Sequence, residues 1–281
     1  MTYARTPSTS ELTALARLFE RGPVAVLTGA GVSTESGIPD YRGPETRRRA
    51  RNPVQFQHFL SRPEARQRYW ARSMLGWPRF RRAAPNAAHH TLRALEEAGR
   101  LSGLVTQNVD GLHADAGSTS AVELHGALRE VRCLVCAARV PRAHLQEQLE
   151  RANPAFLAET PALAPDGDAD LEDPRIARFV VIDCACGGPL KPDVVFFGES
   201  VPAPRVEQAM QAVERAASLL VVGSSLAVYS GLRFVRAAVR QKIPVAIVSL
   251  GETRGDPSAD LRIDAGAGAT LTALRARLLG S

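Results

Sequence analysis

VLTGAGVSTESGIPDYRG, residues 26–43, passes from an apolar run into glycines and then into small hydroxyl residues. A buried strand ending in G-x-G is the usual opening of a dinucleotide-binding unit, whose fingerprint continues to a third glycine, G-x-G-x-x-G. Here Gly29 and Gly31 are present and the third position is Thr34. Three readings are open: a cradle for a hydride carrier, a cradle for a dinucleotide used otherwise, or a plain turn. The hydride-transfer reading is weak on two counts. The third glycine is missing, and no second strand brings an acid for the adenine ribose about 20 residues on. Pro44 and an arginine-rich segment stand there instead.

Working outward, four apolar runs read as buried parallel strands: PVAVLTGA (23–30), GLVTQNV (103–109), SLLVVGSS (218–225) and PVAIVSLG (244–251). They are rich in Val, Ile and Leu and do not alternate with polar residues. Helical patterns fall between and after them, in HHTLRALEEAG (89–99), RVEQAMQAVERA (205–216), LRFVRAAVRQK (232–242) and TLTALRARLLG (270–280). The alternation predicts an α/β protein with a Rossmann-like, doubly wound parallel sheet. Two stretches break the rhythm. Residues 44–85 are rich in arginine and aromatics and predict a helical insertion. Residues 132–188 hold all four cysteines and read as a strandless module. The expected division is therefore 1–43, 86–131 and 189–281 as the nucleotide-binding domain, with 44–85 and 132–188 forming a smaller lobe.

The chain of 281 residues is 45% hydrophobic and 23% charged, ordinary for a globular protein. No apolar stretch approaches the ~20 residues of a membrane span. The first residues lack the apolar core of a signal peptide, and Glu11 and Glu20 argue against a transit peptide. A cytoplasmic, monomeric protein is expected. The abundance of Ala and Arg suggests a GC-rich, bacterial source. The net charge of +6 is concentrated in RRRAR (47–51) and RFRR (79–82). Without aromatic interleaving these read as solvated arginines and not as a nucleic-acid surface.

Ligands of open α/β sheets bind beyond the carboxyl ends of the strands. All four proposed strands end in small or hydrogen-bonding residues: Gly29-Ala30-Gly31, Gln107-Asn108-Val109-Asp110, Gly223-Ser224-Ser225 and Ser249-Leu250-Gly251. Together they suggest a site lined by backbone amides and short polar side chains, suited to phosphate. Cys133 and Cys136 (C-x-x-C) with Cys184 and Cys186 (C-x-C) predict one tetrahedral, structural Zn2+. Asp183 is a possible substitute ligand beside the tight C-x-C pair. Of six histidines, His125 in VELHG lies between the ligand-lining segment and the cysteine module. Its near-neutral pKa suits a general base, with His113 as the competitor. His58, His89, His90 and His144 read as structural or solvated.

The motifs GAGVSTESGIPDYRG, TQNVDGLH, ELHG, CLVC with CACGG, LKPDVVFFGE, GSSLAVYSG and VSLG together resemble the sirtuin family, NAD-dependent protein-lysine deacylases. RQRYWAR (66–72), LAPDGD and LKPDVVFFGE resemble its class II branch most, which includes a mitochondrial lipoamidase and deacylase. The resemblance implies that NAD is a consumed co-substrate. The acyl-lysine oxygen displaces nicotinamide from the ribose, and a histidine matched by His125 acts as base on the ribose hydroxyls. Water then leaves free lysine and 2′-O-acyl-ADP-ribose.

By the same resemblance Gly29, Ala30, Gly31 and Ser33 would hold the pyrophosphate and a ribose. Glu35, Ile38, Pro39, Asp40 and Tyr41 would belong to the loop over nicotinamide, and Arg42 would reach phosphate. Gln107 would bind the nicotinamide ribose, Asn108 the ribose or attacking water, and Asp110, beside Val109, the carboxamide. Gly223, Ser224, Ser225, Ser249, Leu250, Gly251 and Ala267 would cradle the adenosine half. The acylated lysine peptide would add as a strand between residues 195–199 (Val195, Phe197, Gly198 and Glu199) and residues 226–229 around Val228. Tyr69 and Arg72, three apart on one helix face, would either bind an acidic acyl group or form helix core and surface.

Three departures from the family pattern stand out: Ser249 where asparagine is usual, the C-x-C pair, and a branch often poor at removing acetyl. Two further readings share the motifs: a protein mono-ADP-ribosyltransferase, and a non-catalytic NAD- and zinc-dependent scaffold.

Overall fold

The computed structural model describes residues 5–40, 54–157 and 174–280. The strands are β1 (Val24–Thr28), β2 (Leu101–Thr106), β3 (Ala121–Glu123), β4 (Gly126–Cys133), β5 (Arg139–Pro141), β6 (Leu190–Val194), β7 (Ser218–Val222), β8 (Val245–Val248) and β9 (Leu261–Ile263). The helices are α1 (Thr9–Glu20), α2 (Phe56–Ser61), α3 (Pro63–Phe80), α4 (Ala87–Glu97), α5 (Leu112–Asp115), α6 (Arg142–Ala152), α7 (Ala203–Glu214), α8 (Tyr229–Gln241) and α9 (Ala267–Leu279).

Six strands form one parallel sheet in the order β3-β2-β1-β7-β8-β9. The order reverses on β1, so the chain runs outward first to one side of it and then to the other. That is the doubly wound topology expected from the sequence, and it opens a crevice at the carboxyl end of β1. All five residues of β1 are buried. Because side chains alternate along a strand, Val24 and Val26 pack with Leu15 and Phe19 of α1, Leu92 of α4 and Leu271 of α9. Ala25 and Leu27 face the other way, onto Val213 of α7 and Phe234 and Val235 of α8. A strand covered on both faces favours apolar residues, hence the unbroken run Val24–Leu27, with the one polar residue, Thr28, at its end.

The second sheet is antiparallel, in the order β5-β4-β6. It corrects the expectation of a strandless cysteine module. Residues 126–131 and 190–194, grouped with the nucleotide-binding domain from sequence, belong to this sheet. β6 (LKPDV) escaped notice because Pro192 interrupts it, which an edge strand tolerates. β4 alternates only partly, with Arg129 and Arg132 outward. β3 and β9 are three residues each, too short for a period to show. The second core gathers Trp70 and Trp77 of α3, Leu128 and Val131 of β4, Leu145 of α6, Phe179 and Phe196. Buried Arg142 of α6 lies over Trp77 and Trp70 at 4.9 and 5.5 Å and donates to the Ser73 carbonyl, joining α6 to α3. Among the described residues no helix is long and apolar enough to cross a membrane.

Beneath the crevice, α4 and α5 bring His89 and His113 ring to ring, 4.8 Å between centroids. His113 Nε2 lies 2.9 Å from Thr28 Oγ1 at the end of β1. Burial is the main reason that His89 is pushed down to about 3 and His113 to about 4. Above pH ~6.5 both rings are neutral in the folded and unfolded chains and contribute no pH dependence. Below it the unfolded chain takes up protons that the folded chain refuses, so stability falls from pH ~6.5 toward ~4. At pH 5 each ring should cost on the order of 2 kcal/mol. Denaturant titrations at pH 7 and pH 5 should show a clearly smaller acid loss for a His89→Gln, His113→Gln double variant than for the parent chain. Equal losses would dismiss the pair as the source.

Candidate active site

The crevice is built by backbone meeting backbone. Gly29 N donates to Val222 O at 3.0 Å, Gly31 N to Gly223 O at 2.8 Å, and Gly223 N to Val248 O at 2.8 Å. A Cβ on Gly31 would sit 2.9 Å from Gly223, and one on Gly223 would sit 2.5 Å from Val32 N; Gly223 also has φ +62°. These glycines let the turns after β1 and β7 touch. The path of the chain beyond Gly31 accounts for the missing third glycine. In place of a long helix packed on the strand, the chain makes two 3-10 turns, Ala30–Val32 and Thr34–Ser36. Thr34 Oγ1 donates to Gly31 O at 3.1 Å, within this turn. There is no helix–strand contact here for a third glycine to permit. Asn86, the N-cap of α4, donates to Val32 O at 2.8 Å and to Ser36 Oγ at 3.0 Å, holding the loop from below. Sequence reasoning missed Asn86; its signal was an N-cap residue directly before Ala87, where the helix begins two residues ahead of His89.

Ser33, Asn108 and Asp110 converge on this loop. Asn108 Nδ2 donates to Gly29 O at 3.2 Å and Ser33 Oγ at 3.1 Å, and Ser33 Oγ donates to Asp110 Oδ2 at 2.7 Å. Leu112 N donates to Asp110 Oδ1 at 3.0 Å. Burial nevertheless raises the Asp110 carboxyl above its ordinary value. Val109 is half-buried beside them and packs on the second core.

His125 lies in the two-residue link between β3 and β4, directly before β4. Its Nδ1 is 2.9 Å from Gln107 O and its Nε2 is 2.8 Å from Ser230 Oγ. A carbonyl oxygen can only accept, so Nδ1 carries the proton and Nε2 of the neutral ring accepts from Ser230. Burial is the main cause that lowers the His125 pKa; the Gln107 carbonyl opposes this, and Arg205 and Arg233 add to it. The Gln107 side chain donates to Ser224 Oγ at 2.7 Å. His113, the competing base, is turned down toward Thr28 and His89, away from this group.

The other residues expected at the site are more dispersed. Ala30 lies in the first 3-10 turn, Ile38 is buried, and Pro39 and Asp40 are half-buried. Tyr41 and Arg42 lie outside the described residues. Glu35, expected in the loop over nicotinamide, accepts with its carboxylate from Gly268 N at 3.1 Å, at the start of α9 beside Ala267. The carboxylate meets the positive end of that helix, which explains the pairing. Ser225 O accepts from Arg254 N, Ser249 is buried, Leu250 is exposed, and Gly251 N bonds Asp264.

Val195 N bonds His125 O at 2.8 Å, tying the expected peptide edge to the histidine. Glu199 accepts from Phe196 N at 2.8 Å and pairs with buried Lys191 at 2.9 Å, which closes the turn carrying Phe197 and Gly198. Phe197, Val228 and Tyr229 are exposed. Tyr69 and Arg72 are both buried in α3, and Tyr69 stands edge-on to Phe59, Trp70 and Phe196.

The four cysteine sulfurs lie within 4.8 Å of one another, Cys133 to Cys186 at 3.5 Å and Cys136 to Cys184 at 3.7 Å. Tetrahedral thiolates ~2.3 Å from zinc stand roughly 3.8 Å apart, so the cluster fits that ion. Asp183 is not part of it. Backbone N–H groups of Cys136 and Val135 point at Cys133 Sγ and hold its thiol below the ordinary value.

A doubly wound sheet with a polar crevice at its switch point and a four-cysteine lobe beside it defines an α/β dinucleotide-binding protein with a structural metal centre. The Sir2 family model matches residues 29–230, and the chain belongs to that family. It is 52% identical over 273 residues to NAD-dependent protein deacetylase 1 of Streptomyces coelicolor, covering 97% of this chain and 91% of that one. It is 53% identical over 252 residues to an NAD-dependent protein deacetylase of Xanthomonas axonopodis pv. citri, covering 89% and 86%. Among solved structures, a Sir2 complex with p53 peptide and NAD+ superposes with a TM-score of 0.71 at 32% identity, covering 92% and 95%. Sir2Tm bound to a propionylated peptide gives a TM-score of 0.71 at 31% identity, covering 94% and 96%.

Purified protein should carry about one zinc per chain by elemental analysis, and prolonged chelation should lower its melting temperature by several degrees. Cys186→Ser should lose the metal, whereas Asp183→Ala should keep it. Full zinc content in the Cys186 variant would remove that residue from the ligand set.

Proposed function

We propose that this chain is an NAD-dependent protein-lysine deacylase, as the names of its Streptomyces and Xanthomonas relatives suggest at the level of reaction. When bound, NAD would supply an activated ribose and nicotinamide as leaving group. The turn at Gly29, Ala30 and Gly31 with Ser33 would hold the pyrophosphate, and Ile38, Pro39, Asp40 and Tyr41 would cover nicotinamide, with Arg42 toward phosphate. Gln107 would orient the nicotinamide ribose, and Asn108 and Asp110, cross-linked through Ser33, would orient the reacting end. Gly223, Ser224, Ser225, Ser249, Leu250, Gly251 and Ala267 would receive the adenosine half. The acylated peptide would dock by strand addition between residues 195–199 and 226–229. Residues 44–85, together with the second sheet and the four-cysteine module, would form the lobe that closes one side of this cleft.

The observation that carries the reading is the state of His125. Its tautomer is set by Gln107 O, and its burial favours the neutral ring, so Nε2 is an available base near neutral pH. Activity should therefore persist below pH ~6.5 and fall only under the depressed pKa, since protonation removes the base. His125→Ala should keep its zinc and fold but lose nicotinamide release from an acylated peptide by a factor of about 100 or more, in line with ~10²–10⁴ for a general base. Full activity would overturn the assignment.

The acyl group belongs to the same proposal. The RQRYWAR stretch supports the class II branch, and with it a lipoyl or acidic acyl group in preference to acetyl. Tyr69 and Arg72 are both buried in α3, and Tyr69 packs on Phe196, which adjoins the proposed peptide edge. A panel of acetyl-, lipoyl-, succinyl- and methylglutaryl-lysine peptides should rank the acidic or lipoyl forms above acetyl. Arg72→Ala should then lower turnover of the acidic members about tenfold while sparing acetyl; an unchanged ranking would free Arg72 of that role.

A further inference from the structure

Proton abstraction by His125 uses one ring nitrogen and leaves unexplained the side chain that touches it. Ser230 Oγ lies 2.8 Å from Nε2, the nitrogen that must accept a proton. Ser230 is the second residue of α8, and the first turn of that helix is seated on the other anchor of the ring. A Cβ on the next residue, Gly231, would lie 2.3 Å from the Gln107 side-chain oxygen, so α8 packs directly against that side chain in its observed position. Gln107 O in turn holds His125 Nδ1. Both ring nitrogens are thus fixed by one assembly, the Gln107 main chain below and the α8 first turn above. The residues directly before Ser230 are Val228 and Tyr229, exposed at the proposed peptide edge. Leu226, two residues earlier, is held in the left-handed region at φ +54° with its side chain buried, and its N–H is capped by Ser224 Oγ at 3.2 Å. The Ser224 hydroxyl is also the one that receives the Gln107 amide. The stretch from Ser224 to Gly231 therefore links the peptide edge, Gln107 and the base through consecutive contacts.

We propose that Ser230 is a positioning residue for the general base: its hydroxyl holds Nε2 of His125 in line in the free protein and yields that nitrogen to the substrate hydroxyl when the site fills. This rests on the deacylase reading. The step is a hydrogen-bond exchange only. Ser230 keeps its proton, and Nε2 stays an unprotonated acceptor until it takes one from the substrate. A donated O–H also favours the neutral ring. The charged groups that face His125 are Arg205 from α7 and Arg233 from α8, both of which act in the same direction. Removing the hydroxyl leaves those contributions in place, so its own effect can be read separately.

The first test needs no turnover. In the ligand-free protein, the His125 midpoint followed by NMR with labelled histidine should rise by about half a unit to one unit in Ser230→Ala, the size of one net hydrogen bond. Ser230→Thr, which keeps the hydroxyl, should restore it. An unmoved midpoint in Ser230→Ala overturns the proposal. The second test is catalytic. With NAD and the best acyl peptide, Ser230→Ala should lower kcat about three- to tenfold, leave KM for NAD within about twofold, and shift the acidic limb of kcat/KM, which follows the free protein, upward as far as the NMR midpoint. A shifted midpoint with an unshifted limb and unchanged kcat overturns the positioning role. A parent chain that turns over no acyl peptide, yet shows the NMR shift, overturns the deacylase reading and with it the catalytic role of Ser230, leaving only a structural hydrogen bond.

Discussion

The rest of the structure depends on the contact between two bare backbone turns, Gly29–Gly31 after β1 and Gly223 after β7. Their hydrogen bonds continue the pairing of β1 and β7 past the point where side chains stop. Any Cβ on Gly31 or Gly223 would push the turns apart. Separation there would move Gln107, whose N–H bonds Thr28 O and whose amide bonds Ser224, and His125 would follow because its ring is held by Gln107 O. A close approach of two glycine turns thus bears on the position of a histidine from a separate segment, the link between β3 and β4. It is also why the pattern stops at G-x-G: the contact needed is turn to turn, and the chain leaves it as 3-10 turns.

What could be read from sequence depends on burial. The four central strands are largely covered on both faces, and such a strand is mainly apolar, with polar residues such as Thr28 and Ser218 at its ends, so each shows as a run. The polar residues that end them were visible for the complementary reason, being unusual after such runs. The second sheet was not visible. β6 carries Pro192 and buried Lys191, residues that argue against a strand until Glu199 supplies the charge and the strand proves to be an edge. The roles of Asn86, Glu35 and Ser230 were hidden because each acts across a long sequence separation, where spacing carries no information. The cysteines show the same limit from the other side. Their types and pairs predicted a metal centre, but only the fold separates Asp183 from the cluster.

The smaller lobe is held by unlike means. Four sulfurs meet around a point beside its small sheet. Arg142 is buried over two tryptophans and Lys191 over Phe196, each cation donating to backbone carbonyls. Buried cations are costly unless paired or bonded, and here each also fixes a geometry. Arg142 sets α6 against α3, and Lys191 with Glu199 sets the turn at Phe197 and Gly198. The turn at Phe197 and Gly198 is therefore tied to the core of the lobe through Glu199.

The choice of partners around His125 sets what kind of base it can be. A carboxylate on Nδ1 would orient the ring equally well, but its charge would raise the pKa and favour the protonated form. A carbonyl orients the ring without that penalty, and burial with Arg205 and Arg233 pushes further toward neutrality. In the proposed role the ring would be a base biased toward its neutral form, and weak in thermodynamic terms. A weak base serves only when its target hydroxyl is held in line and becomes more acidic as the reaction proceeds. The density of fixed donors around the same crevice, from Asn108, Gln107, Ser33 and Ser224, is what such chemistry requires, because it places the burden on position and not on proton affinity.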